Sequence, residues 1–189
     1  ALAAICRKFL KELGIEVGSR VIQIHDVKDD SLIPDGCSPE DLNERVDKSP
    51  VRCLDDEAES KMMSVIDEAK KEGDSVGGIF ELYATGLPYG LGSYVQWDVK
   101  LQTRISASIM SVNAFKGIEI GLGFESGKLK GSEVHDEISW DGNTYGRFSN
   151  NAGGIEGGMS NAQPIVVRAV MKPIPTLIKP LRSVDINTK

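Results

Sequence analysis

Residues 150–176 read NNAGGIEGGMSNAQPIVVRAVMKPIPT, with no helical period anywhere in the run. Its middle, PIVVRAVM over 164–171, is rich in β-branched residues and predicts a strand, with Pro164 at the start where a missing donor is tolerated. Before the strand stand two glycine pairs, Gly153-Gly154 and Gly157-Gly158. Glycine is costly to order, so packing alone is a weak reason to collect so many. Successive amide donors without a Cβ make a good surface for a flat or anionic ligand. The plainer alternative is a set of tight turns and a close backbone approach. After the strand, Lys172 and Thr176 bracket Pro173 and Pro175. The prolines stiffen the path, so an ammonium and a hydroxyl can be held towards one phosphate with little further ordering.

Outward from this stretch, helices and strands alternate without a strict βαβ beat, which predicts an α+β fold. Leu2, Ile5, Cys6, Phe9, Leu10 and Leu13 make one apolar stripe of a helix over 1–13, stopped by Gly14. IEVGSRVIQI (15–24) predicts a strand, and a short helix is expected after Ser38 with Pro39 at its first position. Asp56 with Glu59 reads as a capping pair for a helix carrying Ala58, Met62, Val65, Ile66 and Ala69, ended by Gly73. DSVGGIFELYATGLP (74–88) gives a strand interrupted at Gly77 and Gly78. A helix over 98–112 and a short or edge strand, GIEIGLG (117–123), follow. Residues 128–149 read as mostly loop, with Trp140 and Tyr145 as anchors.

The 189 residues have the length of one domain, 1–189, with 40% apolar and 26% charged content. A net charge of -6 excludes a primary nucleic-acid role, because no basic field exists to release counterions. No apolar run approaches the roughly 20 residues of a spanning helix, so no membrane partner is expected. Cys6, Cys37 and Cys53 form no CxxC pair, which fits a reduced, cytoplasm-like compartment. The start of the chain has no charged region before a hydrophobic core, so no secretory signal is expected, and it reads as a chain trimmed at its start.

Familiar catalytic motifs are absent. GIEIGLGFESG carries GxG without GxGxxG, no GK[ST] follows the glycines around Pro88, and no GxSxG elbow occurs. His25 reads as a strand-end residue bonded to backbone, and His135 as a solvated loop histidine among acids. With no third ligand at useful spacing, no metal site is expected. Asp55, Asp56, Glu57 and Glu59 are explained by the positive end of a helix.

Several blocks in order resemble the chorismate synthase family: EGDSVGG, GLPYGLGS, SVNAFKGIEIGLGF, GSEVHDEI and the opening stretch. The first helix resembles the segment after that family's arginine- and serine-rich signature, so the likeness covers nearly the whole chain. The resemblance implies a β-α-β sandwich, here incomplete, and a homotetramer, cytoplasmic or plastidial in a plant or alga. It implies a lyase of the shikimate pathway and aromatic amino acid biosynthesis. The reaction is the 1,4-anti elimination of phosphate from 5-enolpyruvylshikimate 3-phosphate, giving chorismate. Reduced FMN is the implied cofactor of this flavoprotein, and an NADP-linked flavin reduction is left open.

On these blocks the family's FMN contacts fall on Asn113, Ala114, Gly157, Lys172, Pro173, Ile174, Pro175 and Thr176. Asn113 would meet the polar rim of the ring system, Gly157 would permit close approach, and Lys172 and Thr176 suit the phosphate or ribityl end. The family's catalytic histidines, substrate arginines and Arg-Ser-Ser signature are absent, as is its later Arg and Asp. No catalytic residue is therefore assigned in this chain, and the 189 residues alone are expected not to turn over substrate. Two other possibilities stand beside this one. The first is a non-catalytic folded core with a partial flavin pocket and an oligomer interface; the second is an unrelated anion-binding module whose glycines only make turns.

Overall fold

The computed structural model describes residues 2–188. Helix α1 (Leu2–Glu12) ends before Gly14, which takes φ +74°; Ala1, included in the expected helix, lies outside the described residues. Strand β1 (Glu16–Ile24) follows and pairs with the short β2 (Val27–Lys28). Helix α2 (Pro39–Val46) starts as expected: Ser38 accepts from the Asp41 amide, Asp41 answers the Ser38 amide, and Pro39 needs no donor there. Helix α3 (Asp56–Glu72) is capped one residue earlier than the sequence indicated. Asp55 accepts from the Ala58 amide at 2.7 Å, because the carboxylate that reaches the third amide must sit just outside the first turn.

Strand β3 (Gly78–Thr85) leads through a long loop and a one-turn 3-10 helix (Trp97–Val99) into α4 (Leu101–Met110), shorter than the expected 98–112. Strand β4 (Phe115–Ile120), α5 (Gly131–Val134) and two small hairpins come next. The hairpins are β5 (Ile138–Trp140) with β6 (Tyr145–Arg147), and β7 (Ile155–Glu156) with β8 (Met159–Ser160). The region expected to be loop therefore holds a helical turn and a ribbon. Trp140 and Tyr145 meet at a tilt, ring centroids 4.7 Å apart, and stay exposed, so they anchor the ribbon and not the core. The last strand, β9 (Ile165–Met171), inserts between β3 and β4 in an open sheet of order β2-β1-β3-β9-β4, antiparallel throughout. This is the expected mixed α+β class.

Period-2 alternation sorts the sheet into two faces. On one, Leu82, Val167, Ile118 and Ile120 meet Leu101, Ile105 and Ile109 of α4, and Val167 is fully buried. Each such side chain contributes roughly 1.5–3 kcal/mol on burial. On the other, Arg20, Glu81, Arg168 and Glu119 are register partners across four strands, an alternating row of charge. Arg20 donates to Glu81 at 3.0 Å and to the Ser31 carbonyl of the polar segment before α2 at 2.7 Å, and Arg20 is buried there. A second cluster, Val51, Cys53, Ala58 and Met62, seats α3 against Val21, Ile24 and Val27. The α1 stripe is different. Leu2, Ile5, Phe9 and Leu13 are 58–80% exposed, since within this chain α1 touches little beyond β1.

Candidate functional site

The end of β9 and the turn after α4 meet. The Lys172 amide donates to the Ala114 carbonyl at 2.9 Å, directly beyond the Phe115–Met171 pair that closes the β4–β9 ladder. Ala114 holds φ +74°, a conformation an L-residue adopts at about 1–2 kcal/mol. The ring of the next residue, Phe115, packs edge-on against Phe80 at 5.5 Å and fixes the turn to the sheet. Asn113 and Lys172 are exposed on either side of that bond, and Lys116 follows on the neighbouring strand.

Beyond Lys172 the chain becomes a strap. Pro173 and Pro175 have no amide hydrogen, so the strap cannot add to the sheet. It passes the turn between α3 and β3: Ser75 Oγ donates to the Ile174 carbonyl at 2.7 Å, and the Ile178 and Lys179 amides both donate to the Gly73 carbonyl at 3.0 and 2.9 Å. Lys179 Nζ reaches Asp74 at 3.4 Å. A cleft of about 460 Å³ runs along one side, lined by His25, Asp26, Glu68, Glu72, Asp74 and Pro173 among others. A smaller one of about 260 Å³ is lined in part by Gly73, Asp74, Thr176 and Ile178. The acidic lining of the first repels a phosphate, which directs an anionic ligand towards Lys172. A separate cleft between α1 and α2 has Arg7, Lys8 and Lys11 on its wall, but Glu40 already occupies Lys11 at 2.7 Å.

Asn113 and Ala114 are thus brought against the start of 172–176, and Gly157 is not. Gly158 accepts from the Leu101 amide at the first turn of α4, whereas Ala114 follows the last turn of that helix. Gly157 and Lys172 also lie at opposite ends of β9, whose seven residues span about 20 Å. Three of the four glycines in the two pairs meet backbone directly. A Cβ on Gly153 would stand 2.2 Å from the Gly121 nitrogen, one on Gly154 2.5 Å from the Pro164 oxygen, and one on Gly158 2.4 Å from the Ser93 oxygen. The Gly153 and Gly154 amides are already engaged by the Asn150 backbone and side-chain oxygens at 3.0 and 2.9 Å. The open surface expected of the pairs is therefore reduced to the exposed Gly157, where an added Cβ would meet nothing within 4 Å.

Asp136 organises the same region from beneath. Its buried carboxylate accepts from the Ser149 hydroxyl at 2.5 Å and from the Asn151 and Ala152 amides at 2.7 and 2.9 Å. Burial alone would raise its pKa, but these donors and the Arg147 charge outweigh that and hold it below the usual carboxylate range. His135 is exposed beside it, and His25 lines the acidic cleft together with Pro173. Among the described residues no group of three or more His, Cys, Asp or Glu could hold a metal ion. Among the described residues no helix is long and apolar enough to cross a membrane. The role of Ser75 and Gly73 at the strap was missed in the sequence. The signal was the EGDSVGG block, a polar turn directly after a helix, but its partner lies in a distant segment.

Comparison with known proteins covers the whole chain. The family model for chorismate synthase matches residues 1–189. Chorismate synthase 1 of Bacillus cereus (strain ATCC 14579) is 56% identical over 190 aligned residues, taking in 100% of this chain and 48% of the relative. Chorismate synthase of Bacillus subtilis (strain 168) is 55% identical with the same coverage. A crystal structure of chorismate synthase superposes with a TM-score of 0.82 at 45% identity, covering 92% of this chain and 54% of that one. The chain spans about half the length of the curated relatives it matches. Agreement of sequence and backbone over nearly every element leads to one conclusion: the chain belongs to the chorismate synthase family.

Proposed function

We propose that the chain supplies one wall of a reduced-FMN site in a chorismate synthase. The whole protein would eliminate phosphate and a proton from 5-enolpyruvylshikimate 3-phosphate to give chorismate. The observation that carries this is the Lys172–Ala114 bond, which joins the two segments that the family resemblance assigns to flavin. The residues present fit such a group. Asn113 offers an amide to a ring edge, Lys172 and Lys116 supply positive charge, Thr176 a hydroxyl, and Pro173, Ile174 and Pro175 a stiff apolar rail. An electron-rich reduced flavin stacked on the substrate would assist departure of the phosphate and then recover its electron density. The chain's own part is to hold the cofactor's phosphate at the ammonium and keep water from the ring.

Gly157 is proposed as a separate contact, because a flavin lying at Lys172 is the length of β9 away from it in the same chain. The 189 residues alone are proposed to bind FMN without turnover, since neither His25 nor His135 stands in one of the blocks that the resemblance assigns to the family's catalytic histidines. The exposed α1 stripe and the exposed Tyr89, Tyr94 and Trp97 are consistent with a homotetramer, in which such surface is covered. The test is titration of the purified chain with reduced FMN under anaerobic conditions. Saturable binding that weakens about tenfold in Lys172→Ala is expected, the loss of one charge-assisted contact. Equal affinity in the variant overturns the assignment of the phosphate to Lys172. Chorismate formed by the chain alone overturns its lack of turnover.

A further inference from the structure

The strap 172–179 presents a mechanical problem. Its first fixed point is the Lys172 amide on Ala114 and its last is the pair of amides on the Gly73 carbonyl. Between them, residues 173–177 make one hydrogen bond among the described residues, the Ile174 carbonyl accepting from Ser75 Oγ at 2.7 Å. Two prolines have removed the donors that would otherwise pair the segment, and proline stiffness limits bending without choosing where the rail lies. That choice falls to the α3–β3 turn.

The turn is built for close contact. Gly73 takes φ +70° at the end of α3, which turns its carbonyl towards the strap, and a Cβ there would stand 2.9 Å from Ile178 Cβ. A Cβ on Gly77 would stand 2.4 Å from the Met171 oxygen and 3.0 Å from Pro173 Cδ. Asp74 accepts from the Ser75 amide at 2.9 Å and pairs with Lys179, holding the Ser75 side chain under the strap. Glycine at both ends and a hydroxyl in the middle thus match the strap at four of its residues.

We infer that Ser75, with Gly73, is a positioning residue of the proposed flavin site: its hydroxyl sets the height of the Pro173–Ile174–Pro175 rail on which the cofactor lies. This rests on the flavin reading above. Ser75 touches no ligand itself, since its hydroxyl is spent on the Ile174 carbonyl. Without it the span from Lys172 to Ile178 is tethered only at its ends, and binding must then order it, which lowers affinity.

The experiment compares the wild-type chain with Ser75→Ala, Ser75→Thr and Gly73→Ala by reduced-FMN titration, thermal unfolding and amide exchange of Ile178 and Lys179. Ser75→Ala is expected to weaken FMN about tenfold, the equivalent of one lost hydrogen bond, and to alter the spectrum of the bound flavin. Its unfolding midpoint should stay within about 2 °C, because the lost bond lies on a surface strap and not in the core. Ser75→Thr, which keeps the hydroxyl, restores affinity. Gly73→Ala frees the Ile178 and Lys179 amides to exchange and weakens FMN as well. Wild-type affinity and spectrum in Ser75→Ala overturn the inference, as does a loss that Ser75→Thr fails to restore. No saturable FMN binding by the wild-type chain instead removes the flavin reading, and this inference with it, a result distinguishable because the wild type alone reveals it.

Discussion

The amide of Lys172 donates to the carbonyl of Ala114 at 2.9 Å, and Ala114 accepts it from a left-handed backbone conformation at φ +74°. A non-glycine residue held there stores strain that surrounding structure must balance, and such residues cluster at ligand sites. Ala114→Gly releases that strain, and urea unfolding should show a gain of roughly 0.5–1 kcal/mol. A variant less stable than the wild type would mean the turn is not strained.

The glycines of the opening stretch should separate sharply on substitution. Gly153→Ala drives a Cβ into the Gly121 backbone and lowers stability by several kcal/mol, or prevents folding. Gly157→Ala meets open space and pays only for its φ of +58°, about 1 kcal/mol. It should also leave FMN affinity of the isolated chain unchanged, because Gly157 sits at the far end of β9. Circular dichroism melts and the same flavin titration check both halves; weakened binding in Gly157→Ala would place the cofactor elsewhere.

Acid should loosen the 133–160 region first. Asp136 has a folded pKa below its ordinary value, so its stabilisation is present above about pH 4 and is lost as pH falls through the depressed folded value. Asp29 adds in the same direction. Burial would raise it, but Ser31, the Leu54 amide and Arg20 together hold it lower. Asp136→Ala leaves the half-buried Asn151 and Ala152 amides without their acceptor, at roughly 1 kcal/mol for each. Amide exchange of those two residues against pH measures this, and pH-independent protection between 5 and 2 contradicts it.

Exposed apolar side chains on α1 predict self-association of the chain. Ile5 and Phe9, 68% and 64% exposed, lie one turn apart on the stripe. Ile5→Glu with Phe9→Glu should shift sedimentation towards monomer without unfolding the sheet. An unchanged sedimentation profile would exclude α1 from the association surface.

What was legible in the sequence followed local rules. The β-branched run at 165–171, the helix start at Ser38–Pro39 and the Gly73 stop each declare themselves within a few residues, and each stands in place. The sheet order was not legible, because inserting β9 between β3 and β4 pairs residues such as Leu82 and Val167 that no spacing connects. The glycine pairs misled for a related reason. Their donors look free in one dimension, yet Asn150 and the Gly121 turn use or cover most of them in three. Likewise Gly157 and Lys172 seem near neighbours until the strand between them is drawn extended. Ser75 was overlooked because its acceptor, the Ile174 carbonyl, carries no side-chain signature at all.

The most direct test of the flavin wall is an amide chemical-shift titration of the isotope-labelled chain with reduced FMN. The account predicts saturable shifts concentrated at Asn113, Ala114, Lys172, Ile174 and Thr176, with β1 and α2 silent. Shifts confined to the glycine hairpin, to the Arg7–Lys11 face of α1, or spread evenly over the surface would contradict it.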